Sequence, residues 1–123
     1  MKTINGAMFA KMVSNASRLL DINRDRIDAL NVFPVPDGDT GTNMVKTFGG
    51  GLRAVTPGQS VGEYMKALSR AVLLSARGNS GVIFSQFVHG LCRGFEDKTD
   101  IDFCDFEAAS REPTVEANII NPL

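Results

Sequence analysis

From Asn5 to Leu20 the apolar residues recur at helical spacing. Ile4, Met8, Met12 and Ala16 form one row, Phe9, Val13 and Leu20 lie beside it, and Lys11, Asn15 and Arg18 fall toward the other side. This period predicts an amphipathic helix packed into a core. Asp21-Ile22-Asn23 reads as a break and a new cap, followed by a short helix through Leu30 with Ile27 and Leu30 as its apolar positions. Arg24, Asp25, Arg26 and Asp28 are expected in solvent. Met44, Phe48, Leu52 and Val55 give a third helical row, interrupted by Gly49-Gly50-Gly51. Each glycine costs about 1 kcal/mol relative to alanine in a helix, so the run implies either close packing of helices or an early helix end. Pro57-Gly58 then turns the chain.

Ser60-Val61-Gly62-Glu63 has the form of a capping box. Val61, Met65, Leu68 and Val72 follow as a buried face, and the helix is expected to reach about Ala76. Gly78 stands where a left-handed C-terminal stop is needed. Asn79 or Ser80 is then expected to cap a helix through about Phe95, apolar on most of its circumference and therefore central. Its polar positions Gln86, His89 and Arg93 align on one face. After Glu96 the chain turns polar, Asp102 is placed to cap a short helix with Phe103 and Phe106, and Glu112-Pro113 stops it. Residues 114–123 have no period and read as an irregular arm. Nothing in the pattern predicts a strand, so the fold class is all-α. One helical domain is expected over 1–95, with a divergent segment over 96–123.

With 123 residues, 43% hydrophobic and 22% charged, the chain has the make-up of an ordinary globular domain. A net charge of −1, with Lys and Arg scattered, gives nucleic acid or an anionic membrane no purchase as partner. No apolar run is long enough to span a bilayer. The start, Met1 to Gly6, lacks the apolar core of a signal peptide, so the cytoplasm is the expected compartment. Cys92 and Cys104 are the two cysteines and His89 is the single histidine. Without a CxxC pair these read as two buried or half-buried thiols rather than a zinc site.

The chemistry concentrates in Asn31-Val32-Phe33-Pro34-Val35-Pro36-Asp37-Gly38-Asp39-Thr40-Gly41-Thr42-Asn43-Met44. Pro34 and Pro36 hold the chain extended up to Asp37. Asp37 and Asp39 then stand two residues apart, just ahead of a helix start that Asp39, Thr40 or Thr42 can cap and whose free N–H groups favour an anion. A hard cation between those carboxylates and a phosphate reconciles the two charges, and an oxygen-only donor set suits Mg²⁺. An EF-hand loop starting at Asp37 fails, because Phe48 stands where the twelfth-position Glu belongs. The joint Ala76-Arg77-Gly78-Asn79-Ser80-Gly81 offers a second set of helix-start amides with the Ser80 hydroxyl. It is neither a P-loop nor a Rossmann fingerprint. Each loop alone also fits an ordinary turn or cap.

Taken together and in this order, Asn31–Met44 and Ala76–Gln86 (ARGNSGVIFSQ) resemble the nucleotide-binding domain of the dihydroxyacetone-kinase L-subunit family, and within it the N-terminal domain of the bacterial fatty acid kinases. The resemblance covers Asn5 to about Phe95. It implies an antiparallel barrel of helices holding Mg-ATP at one end, with Asp37, Asp39 and, as a neutral third ligand, Asn31 on magnesium. Thr40, Thr42 and Asn43 would sit by the phosphates, and Gly78, Asn79, Ser80 and Gly81 would form the second phosphate loop. The implied activity is phosphoryl transfer from ATP to an acceptor carried by a separate protein, a DegV-like fatty-acid-binding partner or a ketose-binding subunit. The family continues past Phe95 with further helices and a segment like Pro-Val-Glu-Gly-Thr-Ile-Leu, of which Pro113 to Ile120 is a loose echo. The departure raises the expectation of a truncated chain that covers its apolar edges by homo-oligomerisation. The competing reading is an inactive helical interaction module that keeps the loops.

Overall fold

A computed structural model describes residues 3–31 and 37–111. Six helices follow one another: α1 (Gly6–Ile22), α2 (Arg24–Ala29), α3 (Thr40–Arg53), α4 (Val61–Leu74), α5 (Gly78–Gly94) and α6 (Phe103–Ser110). Among the described residues there is no strand. An isolated antiparallel bridge joins Ile4 to Ile101, with N–H···O distances of 2.6 and 3.0 Å. The fold is all-α, as the apolar periods predict. Proline 113 and the arm at 114–123 lie outside the described residues.

The caps explain several boundaries. Asn5 accepts the Met8 N–H at 2.9 Å and starts α1. Ser60 accepts the Glu63 N–H at 3.2 Å and starts α4. Asp102 and Asp105 form a reciprocal capping box at the start of α6, each carboxylate accepting the other's backbone N–H at 2.9 Å. Each such cap satisfies helix-start donors that would otherwise lack a partner.

Helices α3, α4 and α5 pack mutually, α1 lies on α3 and α4, α2 on α3, and α6 on α5. The predicted face of α4 is the core: Val61, Met65, Leu68 and Val72 are all buried. Phe95, just past the end of α5, is fully buried, with the Phe9 ring edge-on at 5.6 Å. The three glycines of α3 do not end the helix. A Cβ at Gly51 would come within 2.9 Å of the Val72 Cα, so the bare backbone lets α3 and α4 approach closely.

Three expectations fail here. The row Met8–Met12 on α1 faces outward, at 49% and 48% exposure, because Phe9, Ala10 and Val13 form the side that meets the core. Helix α5 is not buried all round: Val82 and Ile83 are half exposed while Ser85, Val88 and Leu91 face inward. Cys104 is exposed, since α6 covers α5 with its Ala109 side; Cys92 is half-buried as expected. Burial raises the Cys92 thiol pKa, with Glu96 adding to the rise and Lys66 opposing it.

Candidate nucleotide site

The two loops singled out in the sequence meet at one end of the bundle. Ser80 Oγ donates to the Thr40 carbonyl at 3.3 Å, tying the first turn of α5 to the first turn of α3. Gly78 adopts φ +66°, and a Cβ there would collide with the Asn43 side-chain amide. Only glycine accommodates both the left-handed backbone and that neighbour. One turn further on, Thr47 is fully buried and its Oγ1 accepts the Arg77 N–H at 3.0 Å, while Gly81 leaves room for the same hydroxyl. Two helix starts are thereby held side by side. The start of a helix carries N-terminal amides and the positive end of its dipole.

The caps of these helices differ from the sequence reading. Helix α5 begins at Gly78 with Arg77 as N-cap and no side-chain cap bond, so neither Asn79 nor Ser80 caps it. Asn79 and Ser80 lie inside its first turn, and Ser80 reaches across to α3 instead. At α3 the N-cap residue is Asp39, again without a side-chain cap bond. The cap comes from Asp28, at the end of α2. Its Oδ1 accepts the Thr42 N–H at 2.9 Å and its Oδ2 accepts the Thr42 hydroxyl at 2.6 Å. Asp28 was expected in solvent. Its partner is 14 residues away, and a carboxylate in the last turn of a short helix, against the dipole of that helix, is the one sequence sign of a role elsewhere. Thr47 was missed altogether, since a threonine inside an apolar helical row reads as filler.

The acidic loop stands beside this junction. Asn31 Oδ1 accepts the Asp39 N–H at 3.1 Å, and the Asp39 carbonyl accepts the Asn43 N–H at 2.8 Å, closing the first turn of α3. Asp37, Gly38 and Asp39 are exposed, and Gly38 has φ +66°. Residues 32–36, the stiff proline stretch of the sequence reading, lie outside the described residues. Thr42 donates both its N–H and its hydroxyl to Asp28, which ties the first turn of α3 to the end of α2.

The Thr42 bonds hold the Asp28 carboxyl below its ordinary pKa of 3.8, with the Gly41 N–H and Arg24 adding to the effect and partial burial opposing it. A carboxylate whose pKa is lowered on folding stabilises the fold above its unfolded-state value and loses that contribution as pH falls through the folded-state value. Thermal melts across acid pH are therefore expected to show a steeper loss of stability for the parent chain than for Asp28→Asn, the two curves converging at the acid end. Parallel curves would show that Asp28 is not coupled to folding.

Residues 34–118 match the DAK2 domain, well over half of the chain. The chain belongs to the DAK2 domain family. Proteins of Staphylococcus haemolyticus and Staphylococcus epidermidis are similar to it, at 48% identity over 101 residues and 46% over 105. These matches cover 80% and 84% of this chain but 18% and 19% of those proteins. A Staphylococcus aureus protein matches likewise, at 46% identity over 101 residues. The chain thus spans less than a fifth of the length of these curated relatives. The DAK2 match makes this a dihydroxyacetone-kinase-like domain of the nucleotide-binding kind. DAK2 domains generally bind ADP or ATP and generally work with partner subunits. No helix among the described residues is long and apolar enough to cross a membrane.

The donor set of this DAK2 domain is compatible with magnesium. Among the described residues no group of three or more His, Cys, Asp or Glu side chains gathers as a metal cage. Mg²⁺ does not need one: it is held through one or two carboxylates, with water and substrate phosphates completing an oxygen shell. Asp37 and Asp39 supply two carboxylates, and the bond between Asn31 Oδ1 and the Asp39 N–H keeps a third oxygen within the same loop.

Proposed function

We propose that this DAK2 domain is the Mg-nucleotide-binding part of a cytoplasmic phosphotransferase. The reading is carried by one observation, the joining of the two loops at the starts of α3 and α5 through Ser80, Thr40, Asn43 and Gly78. In this reading Asp37 and Asp39, with Asn31, hold Mg²⁺, which neutralises charge on the terminal phosphates of ATP. The N–H groups of Gly78, Asn79 and Ser80 face one side of the phosphate chain, and Gly81, whose own N–H is donated to the Arg77 carbonyl at 3.1 Å, completes that loop. Thr40 and Asn43 face the other, and Thr42 braces their turn through Asp28. Phosphoryl transfer asks little covalent chemistry of a protein, so holding the phosphates in line between two fixed helix starts is the contribution expected of this domain. No side chain here is assigned as a general base. The acceptor is carried by another polypeptide, by resemblance a DegV-like fatty-acid-binding protein.

Calorimetric titration of the chain with ADP, with and without Mg²⁺, tests this directly. Magnesium-dependent binding supports it, and the absence of heat at millimolar nucleotide removes it. The half-exposed Met8 and Met12 on α1, with Leu19 and Ile22 beyond them, are the surface through which copies would associate if the domain is a homo-oligomer. A monomer in sedimentation equilibrium would end that part of the proposal.

A further inference from the structure

The loop at the start of α5 is fastened along one face of α3. Thr40, Asn43 and Thr47 stand at i, i+3 and i+7 of that helix, so they line up over two turns. Each meets a different residue of the loop. The Thr40 carbonyl accepts the Ser80 hydroxyl at 3.3 Å, the Asn43 side chain lies against Gly78, and the Thr47 hydroxyl accepts the Arg77 N–H at 3.0 Å. Of the three, Thr47 alone is fully buried.

A helix start leaves four backbone N–H groups without a partner inside the helix. In α5 they belong to Arg77, Gly78, Asn79 and Ser80, because the Gly81 N–H already closes the first turn on the Arg77 carbonyl at 3.1 Å. Thr47 takes the first of the four. Arg77 is thereby gripped twice, through its N–H from α3 and through its carbonyl from α5. It is extended, at φ −129° and ψ 128°, and Gly78 follows directly at φ +66°. Where Arg77 is held therefore sets the direction of the next three N–H groups. The hydroxyl also fills the space that Gly81 leaves open, since a Cβ at Gly81 would collide with the Thr47 Oγ1. Valine at position 47 would keep the shape and lose the acceptor. Serine would keep the acceptor and lose a buried methyl group.

We propose that Thr47 is a positioning residue of the nucleotide site. Its buried hydroxyl holds Arg77, and through it the N–H groups of Gly78, Asn79 and Ser80, in place before a nucleotide arrives. The effect on nucleotide rests on the reading of this domain as Mg-nucleotide-binding; the anchoring of the loop does not.

Three variants of the whole chain separate acceptor from shape: Thr47→Val, Thr47→Ser and Ser85→Ala. Ser85 is a control, a buried hydroxyl one turn past Gly81 that donates within α5, to the Val82 carbonyl at 2.7 Å. Amide exchange is followed by NMR without nucleotide. The Arg77 amide is expected to exchange at least about tenfold faster in Thr47→Val, with shifted amide signals for Gly78, Asn79 and Ser80. Thr47→Ser and Ser85→Ala should resemble the parent. ADP with Mg²⁺ is then titrated well below the melting range of each variant. Thr47→Val should bind at least about tenfold more weakly, a change of about 1.4 kcal/mol. Thr47→Ser should bind as the parent does while melting lower, for want of the methyl group.

A role in packing alone predicts the reverse order, with serine the more damaging to binding. That reversal overturns the proposal, as does unchanged Arg77 exchange in Thr47→Val, or faster exchange with unaltered affinity. If Thr47→Val does not fold, Thr47→Ser carries the test, and loss of Arg77 protection or of binding there overturns it. A parent that binds no nucleotide removes the nucleotide reading, and the exchange rates then decide the anchoring by themselves.

Discussion

Replacing Asp37 and Asp39 together by asparagine is expected to abolish magnesium-dependent nucleotide binding, with a loss of at least about a hundredfold in affinity, or roughly 3 kcal/mol. Asparagine keeps the size and one oxygen of each side chain but removes both negative charges, and with them most of the attraction for a divalent cation. Both side chains are exposed, ahead of α3 and outside the core, so the thermal midpoint should change little. Titration of the variant with ADP and Mg²⁺, alongside a melt, separates these effects. Retained magnesium dependence would place the cation elsewhere. Loss of folding would make these residues structural rather than ligands.

The opposite behaviour is expected of Phe95→Ala. Phe95 is fully buried, with Phe9 edge-on at 5.6 Å and Phe106 at 6.2 Å. It ties α1, the end of α5 and α6 together, and its carbonyl lies beside Gly62 at the start of α4. Truncating a buried phenylalanine costs about 3–5 kcal/mol through lost transfer energy and the cavity left behind. Whole domains have about 5–15 kcal/mol to lose, so the variant is expected to melt far below the parent or to be largely unfolded at room temperature. Phe95 follows α5, whereas the nucleotide loops lie at its start. The fraction that remains folded should therefore bind nucleotide as tightly as the parent. A cost under about 1 kcal/mol in denaturant titrations would show that the site collapses around the smaller side chain.

These two residue sets differ in how they could be read. The helices were legible because their signals are local: apolar residues at 3.6-residue spacing, Ser60 and Asp102 at the helix starts, glycines at the joints. The two loops were legible for the same reason, each being a short contiguous run. What stayed hidden depends on distance along the chain. Asp28 looked like one of four solvated charges on a short helix, because its partner, Thr42, belongs to another element. Met8 and Phe9 look alike in a helical row, and only the position of α3 and α4 decides that Phe9 turns inward while Met8 faces solvent.

By itself, then, the sequence determined an all-α chain and two glycine-bearing loops at helix starts, with carboxylates ahead of the first, since each follows from side-chain type and spacing within a few residues. The tertiary structure alone decided that the two starts are one place. Ser80 reaches Thr40 across 40 residues, and Gly78 yields its space to Asn43. It also decided that Asp28 supplies the cap which α3 lacks in its own sequence. The reason is physical. A hydrogen bond between distant residues leaves no period and no local preference in the sequence, and exists only once burial has brought its partners within 3 Å or so.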